Sequence, residues 1–167
     1  MTTLALPAGG HTLDTGRLAA HLTRLQRAAL ALCSGRSHDA DDLVQEVYVK
    51  VLAKPRTLRG DDEAGYLLRV RRNTFVSQRR AAARRPAISA APEDLERFAA
   101  RATDPQHALE ARQLYGRIAG LPEHQRDVVV AVDLLGLSYK EAAQSLDVPA
   151  GTIMSRLFRA RRALAEA

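Results

Sequence analysis

Apolar residues recur at helical spacing from the start of the chain's first third. Leu18, Leu22, Leu25, Ala29 and Leu32 fall at intervals of 4, 3, 4 and 3, which predicts one helix over about 15–32. "CSGRSHDAD" interrupts that stripe, and Asp39 or Asp41 can cap a second helix over about 40–53. Leu43, Val44, Val47, Tyr48 and Val51 make its apolar face, with Asp42, Gln45, Glu46 and Val49 opposite. Pro55 ends it, and "RTLRGDDEAG" reads as a polar loop. A third helix over about 63–84 carries Tyr66, Leu67, Val70, Phe75 and Val76. At Pro86 the period is lost, and three prolines and many small residues mark a linker with room for a short helix near 93–101.

The second half is more regular. Asp104-Pro105 opens a helix to about Ala119, and "GLP" separates it from another over about 123–135 built on Val128, Val129, Val132 and Leu135. Gly136 is a C-terminal stop, and Ser138 with Glu141 forms a capping box for a helix reaching Leu146. "DVPAG" is a tight turn, and a last helix starts near Ala150. No segment alternates as a strand would. The chain thus reads as all-α: two small helical domains joined by a flexible linker. Their bounds are a flexible lead-in over 1–14, a domain over 15–85, a linker over 86–104 and a helix-turn-helix domain over 105–167.

Charge narrows the choice of partner. The 167 residues carry a formal net charge of +6, which favours a polyanion, either nucleic acid or an acidic protein surface. From Arg69 to Arg85 the third helix bears seven arginines and no acid. Cys33 is the single cysteine, so an internal disulfide is impossible and a Cys/His zinc cluster is not expected, which suits a cytoplasmic protein. The start "MTTLALPAGGHTLDTG" lacks signal-peptide character, and no apolar run suggests membrane insertion. No glycine-rich phosphate loop, nucleophile–base pair or metal spacing is seen, so neither an enzyme nor a cofactor is expected.

Residues 138–165 are a capped helix, a turn and a second helix, the arrangement that sets a recognition helix into a DNA major groove. Ile153, Leu157, Ala160 and Leu164 form its buried stripe. Thr152, Ser155, Arg156, Arg159 and Arg162 lie opposite. Those near the helix start would meet base edges, and Arg161 and Arg162 further along would meet phosphates. A solvated basic face is the competing reading, weakened by the capped helix and turn in front of it.

"LPEHQRDVVVAVDLLGLSYKEAAQSLDVPAGTIMSRLFRARRAL" resembles the C-terminal domain of extracytoplasmic-function sigma factors, small members of the sigma-70 family. "DADDLVQEVYVKVL", followed by "YLLRVRRNTFVSQRRAAARRP", resembles their N-terminal half; in family terms the N-terminal half is region 2 and the C-terminal domain region 4. The resemblance implies a bacterial initiation factor that binds core RNA polymerase and promoter DNA. Its docking sites would be the clamp helices of the largest subunit and the flap of the second-largest. It implies core contacts by Asp41, Asp42, Gln45 and Glu46, an acidic patch suited to a basic coiled coil. It implies minus-ten contacts by Tyr66, Arg69, Arg72, Asn73, Arg79 and Arg80, with Arg71 also on phosphate and Asn73 on an extruded base. The loop from about Leu58 to Gly65 would shape the pocket for that base. The C-terminal helix would read the minus-thirty-five element. Relatives often have Trp where this chain has Leu52 and Tyr66, and a polar or basic residue at Met154. An anti-sigma factor is a further implied partner. The alternative is a free-standing dimeric helix-turn-helix regulator, which leaves the acidic helix and the first basic segment unexplained.

Overall fold

The computed structural model describes residues 10–59, 62–84 and 105–166. The linker and the helix expected near 93–101 lie outside them. Strand β1 (Gly10–Thr12) precedes helices α1 (Thr15–Ala20), α2 (Leu22–Leu32) and α3 (Ser37–Ala53). Strand β2 (Thr57–Arg59) and α4 (Glu63–Ala83) complete the N-terminal lobe. The C-terminal lobe has α5 (Pro105–Gly120), α6 (Glu123–Val129) running into a π-helical turn (Val130–Leu134), α7 (Tyr139–Leu146) and α8 (Ala150–Glu166). The architecture is all-α, with distinct N- and C-terminal helical clusters.

Several local expectations change. The strands pair antiparallel, Gly10 with Arg59, His11 with Leu58 and Thr12 with Thr57. Residues 10–14 are therefore structured rather than part of a flexible lead-in, and Asp14 caps α1 by accepting from the Arg17 amide at 2.8 Å. Three-residue strands are too short to show alternation. The single helix expected over 15–32 is two, broken at His21. α3 begins at Ser37, so Asp39 and Asp41 lie inside it and neither caps it. The capping box is formed: the Glu141 amide donates to Ser138 Oγ at 3.2 Å and the Ser138 amide to Glu141 Oε2 at 2.7 Å. Ahead of it the Leu135 amide reaches back to Val130 O at 3.0 Å, closing the π turn, and Gly136 turns the chain at φ +75°.

The two lobes share buried surface. On α2, Leu25, Ala29 and Leu32 face the first core with Leu43, Val47, Val51 and Leu67. Ala28 and Ala31, on the adjacent stripe, join Leu68 in the C-terminal core with Val128, Leu135, Ile153 and Leu157. Small residues permit the close approach. Gly35 (φ +76°) sits so near α5 that a Cβ there would lie 3.0 Å from Arg112 Cγ and 3.2 Å from its carbonyl oxygen.

Candidate nucleic-acid and polymerase interfaces

α3, β2 and α4 enclose an open groove of about 670 Å³. Helical periodicity places Tyr66, Arg69 and Asn73 on its α4 wall, with Val70 between them. Lys50, Lys54 and Arg56 line the facing wall, and Thr57 and Leu58 of β2 close one end. The groove thus combines an aromatic ring, an exposed amide and four cationic side chains, a set that suits an unstacked base and its phosphates. Lys50, Lys54 and Arg56 were not singled out in the sequence. The signal was there, as cations around Pro55, but only the fold brings them opposite α4.

Other predicted contacts on α4 point elsewhere. Arg72 faces the C-terminal lobe, with Nε 3.1 Å from Asp127 Oδ2 and Nη2 3.4 Å from Glu123 Oε1. Arg79 lies on that same side, its guanidinium 5.9 Å from the Phe75 ring centroid. Arg80 is exposed beyond them. Arg71 is only 1 % exposed, so it cannot reach phosphate in this arrangement, contrary to the expectation for it. Its Nη1 donates to Ala28 O at 3.4 Å, while Nε and Nη2 have no hydrogen-bond partner. Burial brings its guanidinium down to about 10, against the favourable field of Asp127. Burial likewise raises the Asp127 carboxyl, opposed by Arg72, Arg71 and Arg126.

The four candidate core-polymerase residues share α3 but not an environment. Asp42 and Gln45 are exposed, and Asp42 pairs with His38 at 3.3 Å. Asp41 accepts from Gln26 Nε2 at 2.7 Å. Glu46 is held by Lys50 at 2.6 Å and Gln78 at 2.5 Å, and the Lys50 bond lowers its carboxyl below the usual range.

One carboxylate fastens the start of α4 to the N-terminal elements. Glu63 Oε1 accepts from His11 Nε2 and Arg17 Nη1, both at 2.7 Å, and Oε2 from His21 Nε2 at 2.8 Å. Burial pushes this carboxyl up, but the bonds from His21, Arg17 and His11 outweigh burial and hold it at about 2. Glu63 thereby ties β1, α1 and the α1–α2 junction to the first turn of α4.

On α8, Ile153, Leu157 and Ala160 are buried as expected, and Thr152 and Arg156 are half-buried. Ser155 and Arg159 are exposed. Arg161 pairs with Asp133 at 2.6 Å, so it fastens α8 to the π turn rather than standing free for phosphate. Arg162 pairs with Glu166 at 2.7 Å. Met154 and Phe158, one turn apart, are 54 % and 69 % exposed beside the arginines. Phe158 was not foreseen, because an isolated aromatic beside the stripe looks like core. Among the described residues no group of side chains is arranged to hold a metal ion, and no helix is long and apolar enough to cross a membrane.

The model of sigma-70 region 2 matches residues 18–85, and that of sigma-70 region 4 matches residues 111–164. The ECF RNA polymerase sigma-E factor of Escherichia coli is 37 % identical over 141 residues, covering 77 % of this chain and 73 % of that protein. This chain belongs to the extracytoplasmic-function sigma factors of the sigma-70 family. The ECF sigma factor SigE of Mycolicibacterium smegmatis is 34 % identical over 148 residues, spanning 86 % of this chain but 57 % of that relative's length. The sigma factor RpoE of Bartonella quintana, solved with the anti-sigma factor NepR, superposes with a TM-score of 0.67 at 26 % identity, covering 90 % of this chain and 93 % of that one. In sigma-factor terms, α2–α4 are region 2 and α5–α8 carry region 4. The groove therefore lies within region 2, and the exposed face of α8 within region 4. Sigma factors are non-catalytic.

Proposed function

We propose that this chain is an alternative sigma factor that binds core RNA polymerase and directs it to promoters, where region 2 opens the minus-ten element and region 4 reads the minus-thirty-five element. The observation that carries this reading is the cation-lined groove beside exposed Asn73, in a chain that also presents a capped helix-turn-helix. Asn73 and Tyr66 receive the unstacked base, and Arg69 with Lys50, Lys54 and Arg56 holds its phosphates. Arg72, Arg79 and Arg80 extend the phosphate contacts once the lobes separate. Thr152, Ser155, Arg156 and Arg159 face the minus-thirty-five bases, with Arg162 on the backbone. Asp42 and Gln45 lead the contact with the clamp helices, flanked by Asp41 and Glu46, and the C-terminal lobe meets the flap. The domain bounds 15–85, 86–104 and 105–167 go with this division of labour. One solved sigma factor of this fold, RpoE, carries the anti-sigma factor NepR, so an anti-sigma factor is part of the proposal.

Run-off transcription with purified core polymerase on genomic fragments tests it. Discrete transcripts that need both the chain and core polymerase are expected. Tight binding of the chain alone to two-fold duplex sites, without transcripts, would instead establish a dimeric regulator.

A further inference from the structure

We propose that Met154 and Phe158 form an apolar reading edge on α8, which takes the C5-methyl groups of thymines in the minus-thirty-five element. The inference deepens the reading of α8 as the minus-thirty-five helix and rests on it. The two residues stand one turn apart, and among the described residues Phe158 is the most exposed of the large apolar side chains. At about 100° per residue they make one column on the outer half of the helix, and Ser155 and Arg159 make the neighbouring column. Ile153, Leu157 and Ala160 already fill the core side.

Charge decides what can cover the apolar column. Between Asp147 and Glu166 the sequence holds four arginines and no acid. Arg159 is exposed beside Phe158, and Arg161 and Arg162 follow one turn further along. A second copy of the same face would bring like charges together, which is unfavourable. The fitting partner is anionic around its rim and carries small apolar groups within. Duplex DNA meets both demands, because phosphates border the major groove and each thymine presents a methyl group inside it. The two columns then divide the work. Ser155 and Arg159 hydrogen-bond base edges, and Met154 and Phe158 contact the one major-groove feature that neither donates nor accepts. Spacing agrees with this. Four residues of helix advance about 6 Å, against about 7 Å for two base-pair steps, so the pair can reach methyl groups within two steps of each other. Met154 has an unbranched, adaptable side chain that follows a methyl group closely.

The test uses the full chain with core polymerase, on a promoter found in the run-off assay. Each thymine on either strand of the minus-thirty-five element is replaced in turn by uracil, which removes the methyl group and keeps every hydrogen-bonding group. Holoenzyme binding should fall about fourfold at one or two positions, the loss of one buried methyl group at each. Met154→Ala and Phe158→Ala should each bind the parent promoter more weakly, and each should be indifferent to uracil at one of those positions. Both side chains are exposed, so the variants should keep the parent's circular dichroism and urea midpoint. Binding unchanged by uracil at every thymine would overturn the proposal, as would an element with no thymine on either strand. A uracil effect that persists in full in Met154→Ala/Phe158→Ala would also overturn it, since that effect would report the shape of the DNA and leave the apolar column to a protein partner. Absence of any promoter-specific transcript indicts the sigma-factor reading, whereas transcripts from a promoter insensitive to uracil indict the methyl reading alone.

Discussion

Asn73 and Arg71 are two residues apart on one helix and have opposite fates. Asn73 is exposed on the groove, where its amide can pair with a base edge only after that base leaves the stack. Asn73→Ala should therefore reduce open-complex formation more than closed-complex formation, read by permanganate footprinting; equal loss at both stages would make the residue structural. A similar contrast holds on α8. Arg159 is exposed toward the proposed base edges, and Arg162 lies one turn further along, paired with Glu166. Arg159→Ala in holoenzyme should cost roughly 1–3 kcal/mol and relax preference at one minus-thirty-five position. Arg162→Ala should weaken all promoter variants alike and lower the salt slope by about one. Identical, uniform losses from both would reduce α8 to a non-specific basic surface. The sequence marked each of these side chains as polar and helical. It did not mark Arg71 as buried, because an arginine among four others on a basic helix gives no sign of which one turns inward.

At the scale of elements, the short sheet closes the groove and Glu63 fastens the sheet and α1 to α4. β1 braces β2, whose Thr57 and Leu58 close the groove, and Glu63 fastens that end of the lobe through His11, Arg17 and His21. Its carboxyl is held at about 2 in the folded chain against an ordinary value of 4.5. The folded value is the lower one, so the unfolded chain binds more protons in this range. The stabilisation is complete above about pH 4.5 and is lost as pH falls toward 2. Denaturant midpoints measured down the acid limb should therefore fall less steeply in Glu63→Gln than in the parent. Hydrogen exchange at the amides of residues 10–12 and 57–59 should quicken in the same variant. Parallel acid limbs and unchanged exchange would mean the three bonds contribute nothing to stability. The helices themselves were legible from their apolar stripes, and α7 from its capping box. The break at His21 and the start of α3 at Ser37 were not, since no side-chain cap marks either helix start.

For the molecule as a whole, the side of α4 that Leu68 occupies matters more than its size. Leu67 packs in the first core, while Leu68, fully buried, packs in the second. Leu68→Ala should cost about 2–5 kcal/mol, and urea unfolding followed separately in each lobe should show both transitions moving to lower denaturant. Movement of the N-terminal transition alone would mean that the lobes do not stabilise one another.

What the sequence determined by itself depends on neighbours along the chain. Period fixes a helix's apolar face, so the α8 stripe of Ile153, Leu157 and Ala160 was readable, as was the all-α class. Capping is equally local, and so Ser138 and Glu141 placed α7. Basic composition and the two matched segments pointed to promoter DNA. Only the tertiary structure decided which cations share a site. Lys50, Lys54 and Arg56 meet Asn73 across two helices, whereas Arg72, one residue before Asn73, turns about 100° away to Asp127. The stripe carrying Ala28 and Ala31 could have faced solvent or a partner, and its period is the same in either case. What settles it is the shape of the other lobe's core, which reaches these residues from positions a hundred or so places along the chain.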